Sequence, residues 1–136
     1  MNDIETFFHE YAVASMRQDA GLVASFYDKN FMTASKDESA PFANDKDFLK
    51  WLNGVFEFNK KSGLQSMQVK SVDSAPLGKY HFTARVTWSA IYSKAPDEEI
   101  SFDLLYVLSH RESNYRIVLY ISDEDQEELM KEKGLL

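Results

Sequence analysis

The sequence contains no cysteine in its 136 residues. This absence excludes disulfide bonds, thiolate nucleophiles and cysteine metal sites, and it is compatible with a reducing compartment. The sequence also lacks any basic cluster longer than the Lys60–Lys61 pair, while its formal net charge is −7. Because phosphate backbones repel an acidic chain that has no basic patch, we expect no nucleic-acid binding.

Long apolar runs are absent as well. No stretch approaches the roughly 20 residues that cross a membrane as a helix, and the N-terminal letters MNDIETFF are acidic where a signal peptide is basic. We therefore expect a cytoplasmic protein that does not enter membranes. Linkers and repeats are missing too, and hydrophobic residues make up 44% of the chain. Length and composition together predict a single folded domain over residues 1–136.

The hydrophobic pattern changes once, near residue 64. Before this point, apolar residues recur at helical spacing and predict three N-terminal helices. The first covers residues 3–17, the second is short and is capped by Asp19, and the third begins after a cap at Asn44 and ends before Gly63. These three helices form the first part of the predicted fold.

Strands follow the helices in the predicted order of elements. A short strand is expected at 31–35, and a loop at 36–43 separates it from the third helix. After residue 64, apolar and polar residues alternate, which predicts four strands at 65–74, 79–94, 99–110 and 115–122. Helices followed by consecutive strands indicate an α+β fold rather than a parallel α/β sheet.

The alternation places apolar and aromatic side chains on one face of the predicted sheet. This inner face carries Tyr80, Phe82, Ala84, Val86, Trp88, Ala90, Tyr92, Phe102, Leu104, Tyr106, Leu108, Tyr115, Ile117, Leu119 and Ile121. The outer face of the same strands carries His81, Thr83, Arg85, Thr87, Asp103, Leu105 and Val107. Because the inner face is so apolar, the helices must cover it.

The order of elements resembles the nuclear transport factor 2-like superfamily, which includes SnoaL-like proteins and ketosteroid isomerase. The resemblance is carried by RQDAGLVASFYDKNF at 17–31 and NYRIVLYISDED at 114–125, and it extends over nearly the whole chain. It implies a cystatin-like roll, in which three N-terminal helices pack on a strongly curved, mixed or antiparallel sheet and form a conical pocket. Members use this pocket for isomerisation, dehydration, cyclisation or cargo binding, so the fold alone identifies no activity.

The catalytic pattern of ketosteroid isomerase is only partly present. The resemblance places its helical tyrosine at Tyr11, but its base falls near Ala34 and its protonated acid near Leu104. Asp37 or Glu38 reaches the pocket only if the loop before the third helix folds back over the pocket mouth. The resemblance therefore implies a SnoaL-like protein that differs from this isomerase.

The residues predicted to line the pocket are Tyr11, Phe56, Phe82, Val86, Trp88, Phe102, Leu104, Tyr106 and Leu119. So many rings on one face either surround a small apolar or aromatic ligand or fill the core. Tyr11 is either a hydrogen-bond donor to a ligand or a core tyrosine with a local partner. His110 continues the inner face to the end of its strand, so Tyr11 and His110 are the candidate catalytic residues; the alternative for His110 is a surface histidine.

The sequence contains no motif for a metal or an organic cofactor. Its three histidines have no carboxylates at ligand spacing, and no glycine-rich phosphate loop is present, so we expect neither kind of group. Three functions stay open. They are a ligand-binding SnoaL-like protein of undetermined activity, a cofactor-independent isomerase, dehydratase or cyclase of a small carbonyl compound, and an interaction module with a vestigial pocket.

The outer face of the predicted sheet is a mixture of polar and apolar residues. Thr83, Arg85, Thr87, Leu105 and Val107 give it a semi-polar character that suits a protein interface. Outer faces in the resembled superfamily often pair in dimers, so we expect a homodimer through this face. The alternative is a solvated face on a monomer.

Overall fold

The computed structural model describes residues 2–123 and 126–132. The helices are α1 (Asp3–Met16), α2 (Ala20–Ala24), α3 (Lys46–Ser62) and α4 (Gln126–Glu132). The strands are β1 (Tyr27–Ser35), β2 (Ser39–Ala43), β3 (Leu64–Pro76), β4 (His81–Tyr92), β5 (Ala95–Arg111) and β6 (Asn114–Ser122). The predicted α+β class is confirmed. Within the described ranges, no helix has the length and apolar character that a membrane crossing needs.

The six strands form one mixed sheet in the order β2-β1-β6-β5-β4-β3. β1 runs parallel to β6, and every other pair of neighbours is antiparallel. Register shifts interrupt four of these pairings, those of β1 with β6, β3 with β4, β4 with β5 and β5 with β6. Because an extra residue bends its strand and increases the local twist, these bulges curve the sheet around the helices.

The first two helices begin at side chains that accept hydrogen bonds from the first turn. The Asn2 side chain accepts from the Glu5 backbone N–H at 2.8 Å, and the Asp19 carboxylate accepts from the Leu22 N–H at 3.1 Å. Both caps satisfy backbone donors that a helix leaves unpaired at its start. The predicted cap at Asp19 is confirmed. The buried side chains of α1 are Ile4, Phe7, Phe8, Ala12 and Ala14.

The third helix begins one residue later than the sequence predicted. Its cap is Asp45, whose carboxylate accepts two backbone N–H groups of the first turn at 3.0 and 3.2 Å. Asn44 is not the cap, because its side-chain amide instead donates to the backbone carbonyls of Ala24 at 2.8 Å and Tyr27 at 3.2 Å. The helix ends at Gly63 in the left-handed conformation, with φ of 81°, as predicted.

The inner face of β4 and β5 is buried under the helices, as the alternation predicted. Residues of the same parity lie opposite each other, with Phe82 opposite Leu108 and Trp88 opposite Phe102. The hydrophobic core is formed where this face meets α1, α2 and α3. Tyr80 is the exception. It precedes β4 and is 54% exposed, so the prediction that it belongs to the inner face is wrong.

β6 departs from the predicted alternation because its pairing with β5 shifts. Ile117 lies opposite Leu108 and faces the core, but after the shift Leu119 lies opposite Val107 of the outer face. A shift by one residue exchanges the two faces of a strand, so Tyr120 turns inward in place of Leu119. The prediction that Leu119 and Ile121 lie on the inner face is therefore wrong.

The segment predicted as a loop at 36–43 contains a strand. Residues Ser39–Ala43 form β2, which pairs antiparallel with β1 at the edge of the sheet. The turn between the two strands is closed by the Ser35 backbone N–H, which donates to the Glu38 carbonyl at 2.8 Å. Lys36 in this turn forms an ion pair with Glu128 of α4 at 3.4 Å.

Candidate ligand cavity

A cavity of about 380 Å³ lies between the helices and the inner face of the sheet. The helices contribute Tyr11, Ser15, Met16, Val23, Trp51, Leu52, Val55, Phe56 and Asn59. The strands contribute Tyr27, Thr33, Ala34, Ser35, Leu64, Met67, Trp88, Phe102, Leu104, Tyr106, Tyr120 and Ser122, and Glu38 comes from the β1–β2 turn. A concave site with mostly apolar walls and a few polar groups is typical of small-molecule pockets.

Six of the nine residues that the sequence placed in the pocket border this cavity, namely Tyr11, Phe56, Trp88, Phe102, Leu104 and Tyr106. The other three do not. Val86 is completely buried in the packed core, and the Phe82 ring packs against the Tyr115 ring at 5.9 Å. Leu119 lies on the outer face of the sheet because of the bulge in β6.

His110 does not line the cavity. Its ring stacks on the Tyr115 ring, with centroids 4.2 Å apart and planes inclined by 8°. Phe7, in the N-terminal half of α1, also packs on Tyr115 at 6.2 Å and covers this end of the sheet. Tyr11, one turn further along α1, borders the cavity, which lies toward the Phe102 end of β5. The structure therefore does not bring Tyr11 and His110 to one site.

The hydroxyl groups of four tyrosines distinguish this cavity from a hydrocarbon core. The residues are Tyr11, Tyr27, Tyr106 and Tyr120. The Tyr11 and Tyr27 hydroxyl oxygens are 2.6 Å apart and share a hydrogen bond, and Trp88 Nε1–H donates to the Tyr106 hydroxyl at 3.3 Å. The Tyr120 ring lies 6.1 Å from the Tyr106 ring. Together these contacts gather the phenols into one cluster, which we call the tyrosine cluster.

Burial raises the pKa of all four phenols above the ordinary value of 10.0, because removal from water disfavours the charged phenolate. For Tyr11, the hydrogen bond with Tyr27 opposes part of this rise in pKa. For Tyr27 and Tyr106, repulsion from the neighbouring tyrosines raises the pKa further. All four side chains therefore stay protonated at neutral pH and can donate hydrogen bonds.

The tyrosine cluster keeps donors free for a ligand. One hydroxyl of the Tyr11–Tyr27 pair donates to the other, so the accepting hydroxyl still has its own proton. The Tyr106 hydroxyl accepts a hydrogen bond from Trp88, and it donates to no residue that the structure describes. The Tyr120 hydroxyl likewise bonds to no described residue. Tyr27 and Tyr106 are nearly fully buried, and the half-buried Tyr11 and Tyr120 contact them, so the cluster lies toward the inner end of the cavity.

The mouth of the cavity has a different chemical character. Trp51 is 45% exposed and Met16 is 36% exposed, and the exposed Glu38 also borders the cavity. Asp37 does not line the cavity. Of the two acids that the sequence offered in this turn, only Glu38 borders it. None of the described lining residues is Lys, Arg or His. The described ranges also contain no group of three His, Asp or Glu side chains that could hold a metal ion.

Sequence reasoning missed two members of the tyrosine cluster. Tyr27 is the first residue of β1, which begins four residues before the predicted strand at 31–35. An aromatic residue directly after α2 was an available signal for an earlier start. Tyr120 gave no such signal, because the bulge that turns it inward leaves no mark in the alternation of β6.

Comparison with known proteins supports the same architecture. The family described as NTF2-like protein (DUF6841) matches residues 2–125 of the chain. An NTF2-like protein with a cystatin-like fold from Novosphingobium aromaticivorans superposes with a TM-score of 0.70 at 12% identity, over 98% of this chain and 86% of that chain. An NTF2-like protein from Shewanella oneidensis gives 0.63 at 16% identity, over 90% and 97%.

A third similar structure carries a different name. The putative calcium/calmodulin dependent protein kinase II association domain from Xanthomonas campestris gives a TM-score of 0.65 at 10% identity, over 92% of this chain and 87% of that chain. No curated protein matches the sequence significantly. At these identities the solved structures establish the fold alone. The chain belongs to the NTF2-like protein family DUF6841 and has the cystatin-like fold of its structural neighbours.

Proposed function

We propose that this NTF2-like protein binds a small apolar or aromatic molecule in its cavity. The observation that carries the proposal is the lining, in which Trp88, Phe102, Leu104 and Phe56 supply apolar surface around about 380 Å³ of space. This volume falls in the usual range for small-molecule sites. The chain has no cysteine, which fits a cytoplasmic site of action.

The test uses N-phenyl-1-naphthylamine, an uncharged dye whose fluorescence rises when it leaves water. Leu104→Trp fills the cavity and should weaken dye binding by more than about tenfold, because an indole ring takes the ligand's space. Ser101→Trp adds the same ring on the exposed outer face of the same strand and should leave binding unchanged. Circular dichroism checks that both variants fold, and Ala34→Met, which narrows the cavity from β1, is a milder second variant.

The proposal would be contradicted if the wild-type protein bound neither the dye nor any other uncharged aromatic molecule. Equal binding by the Leu104→Trp and Ser101→Trp variants would place the binding site outside the cavity and would contradict it as well.

The enzymatic alternative has less support. An isomerase, dehydratase or cyclase needs a group that moves a proton beside the Tyr11 donor. His110 stacks on Tyr115 away from the cavity, and Asp37 does not line it. Glu38 is the one carboxylate among the described lining residues, and it sits at the exposed mouth. Binding without chemistry is therefore the function that we propose.

We also propose that two copies of the chain associate through the outer sheet face. Leu105 pairs with Ile121 and Val107 with Leu119, which places four aliphatic side chains side by side on that face. All four are half-buried, and none of them packs against the hydrophobic core under the other face. The similar structure that is named an association domain is compatible with a role in assembly for this fold.

Sedimentation analysis at micromolar concentration tests this dimer. Leu119→Lys places a charge in the centre of the aliphatic group and should convert a dimer to a monomer, because an unpaired buried charge is costly. Ser101→Lys, on the same face but among polar residues, is the matched control and should keep the dimer. A wild-type protein that sediments as a monomer would contradict the proposal.

A further inference from the structure

We infer that the cavity selects uncharged ligands that carry a hydrogen-bond acceptor oxygen, such as the carbonyl of an aromatic ketone or aldehyde, and rejects the matching carboxylates. This inference rests on the proposed ligand-binding function and adds the chemical class of the ligand. It comes from the distribution of donors, acceptors and charge along the cavity.

The inner end of the cavity offers donors. Tyr106 and Tyr120 each have a hydroxyl proton that no described residue accepts, and the Tyr11–Tyr27 pair supplies a third. A ligand oxygen that reaches this end can therefore accept hydrogen bonds. A pure hydrocarbon there would bury these hydroxyls without partners, which costs free energy.

The same end offers no positive charge. The described lining contains no Lys, Arg or His, so a carboxylate would lose its hydration without gaining an ion pair. The phenols also stay neutral, because burial raises their pKa. A neutral carbonyl needs much less desolvation and accepts the same hydrogen bonds.

The mouth opposes anions as well. The exposed Glu38 borders the cavity, and no residue that the structure describes forms an ion pair with its carboxylate. The whole chain has a formal net charge of −7, which also disfavours the approach of an anion. The entrance and the inner end of the cavity therefore both disfavour anionic ligands.

Three naphthalene probes of similar size separate these effects: 2-acetylnaphthalene, 2-ethylnaphthalene and 2-naphthoate. Each is titrated against protein that is saturated with N-phenyl-1-naphthylamine, and its affinity is read from the displacement of the dye. We expect the ketone to bind about fivefold more tightly than the hydrocarbon, since it makes hydrogen bonds that the hydrocarbon cannot make. The carboxylate should bind at least about tenfold more weakly than the ketone.

Substitutions test whether the tyrosine cluster recognises the ligand oxygen. Tyr120→Phe and Tyr106→Phe should each reduce the advantage of the ketone over the hydrocarbon by about threefold, while the affinity of the hydrocarbon stays the same or rises. Thr87→Val, which removes a hydroxyl from the outer face, is the control and should not change this ratio. Glu38→Gln should raise the affinity for 2-naphthoate without changing that for the ketone.

The outcomes are distinguishable. If the dye binds and Leu104→Trp blocks it, but the three probes displace it equally well, the cavity binds ligands and the inference is wrong. If 2-naphthoate binds more tightly than the ketone, the inference is wrong in the opposite sense. If neither the dye nor any probe binds, the inference and the proposed function are both wrong.

Discussion

The tyrosine cluster should make the protein sensitive to alkaline pH. A phenol whose pKa is higher in the folded than in the unfolded protein keeps its proton on folding, so its stabilising contribution is complete below pH 10.0 and is lost as the pH rises above that value. Tyr11, Tyr27 and Tyr106 have the most strongly raised pKa values. Each group should lower the free energy of unfolding by about 1.4 kcal/mol per pH unit in this range.

Together, the three phenols should make the free energy of unfolding fall by about 4 kcal/mol per pH unit above pH 10. Because small domains have a total stability of only about 5–15 kcal/mol, the protein should unfold cooperatively within roughly one to four units above that point. Urea denaturation at stepped pH, followed by circular dichroism, measures the slope. Tyrosinate absorbance in the ultraviolet, recorded in parallel, shows whether the cluster ionises only when the fold is lost.

The variant Tyr27→Phe tests the assignment of this slope. It removes one phenol of the cluster and should reduce the slope by about 1.4 kcal/mol per pH unit. Tyr80→Phe, at a ring that is 54% exposed and lies outside the cluster, is the matched control. The reasoning would be refuted if all seven tyrosines ionised near pH 10 while the circular dichroism spectrum stayed native.

Two further pairs of substitutions test the local structure by urea denaturation. Gly63→Ala should lower the free energy of unfolding by more than about 1 kcal/mol, because φ is 81° and the new Cβ collides with the Ser93 hydroxyl. Gly54→Ala lies in the interior of α3, where the new Cβ meets no atom within 4 Å other than adjacent residues and the backbone of its own helix, and it should raise the free energy of unfolding by about 0.5–1 kcal/mol. An equal sign for the two changes would contradict the structure. Asn44→Ala should cost about 1–3 kcal/mol through its lost carbonyl contacts, and Asp45→Ala about 1 kcal/mol through the lost helix cap. A loss near zero for Asp45→Ala, together with a loss of about 1 kcal/mol for Asn44→Ala, would restore Asn44 as the cap.

The alternation in β4 and β5 was sufficient to predict the inner face. Trp88 and Phe102 lie opposite each other on the inner face, because burial of the more apolar face of each strand excludes a register shifted by one residue. The C-terminal end of α3 was predictable for a similar reason, since Gly63 adopts a left-handed conformation that glycine tolerates best. At these positions the sequence allows one low-energy backbone arrangement, and the structure adopts it. The start of α3 was not predictable in this way, because the cap is Asp45 and not the predicted Asn44.

β6 shows why the rest of the cavity could not be predicted. Its residues Val118, Leu119, Tyr120 and Ile121 are all apolar or aromatic, so either face of the strand can be buried. The bulge that chooses between them depends on the pairing with β5 and not on the residues of β6 alone. For this reason the alternation in the sequence predicts Leu119 in the pocket and does not identify Tyr120.

The position of His110 depended on long-range packing in the same way. Its parity is correct for the inner face, but parity does not say which end of a sheet the helices cover. The N-terminal half of α1 covers the His110 end through the contact of Phe7 with Tyr115. The space that remains lies beyond Tyr11, where the helix no longer fills the concave face.

The rings of the tyrosine cluster serve the fold, and its hydroxyls serve the ligand binding that we propose. A phenylalanine at position 120 would keep the ring contact with Tyr106 and the apolar character that the fold needs. The Tyr120 hydroxyl bonds to no described residue, so the hydroxyl adds no hydrogen bond that stabilises the fold. A polar group of this kind, placed on the wall of a cavity, is explained more simply by a bound ligand than by the stability of the fold. The aromatic pattern therefore specifies the structure, and the hydroxyl groups specify the chemistry of the molecule that we expect it to bind.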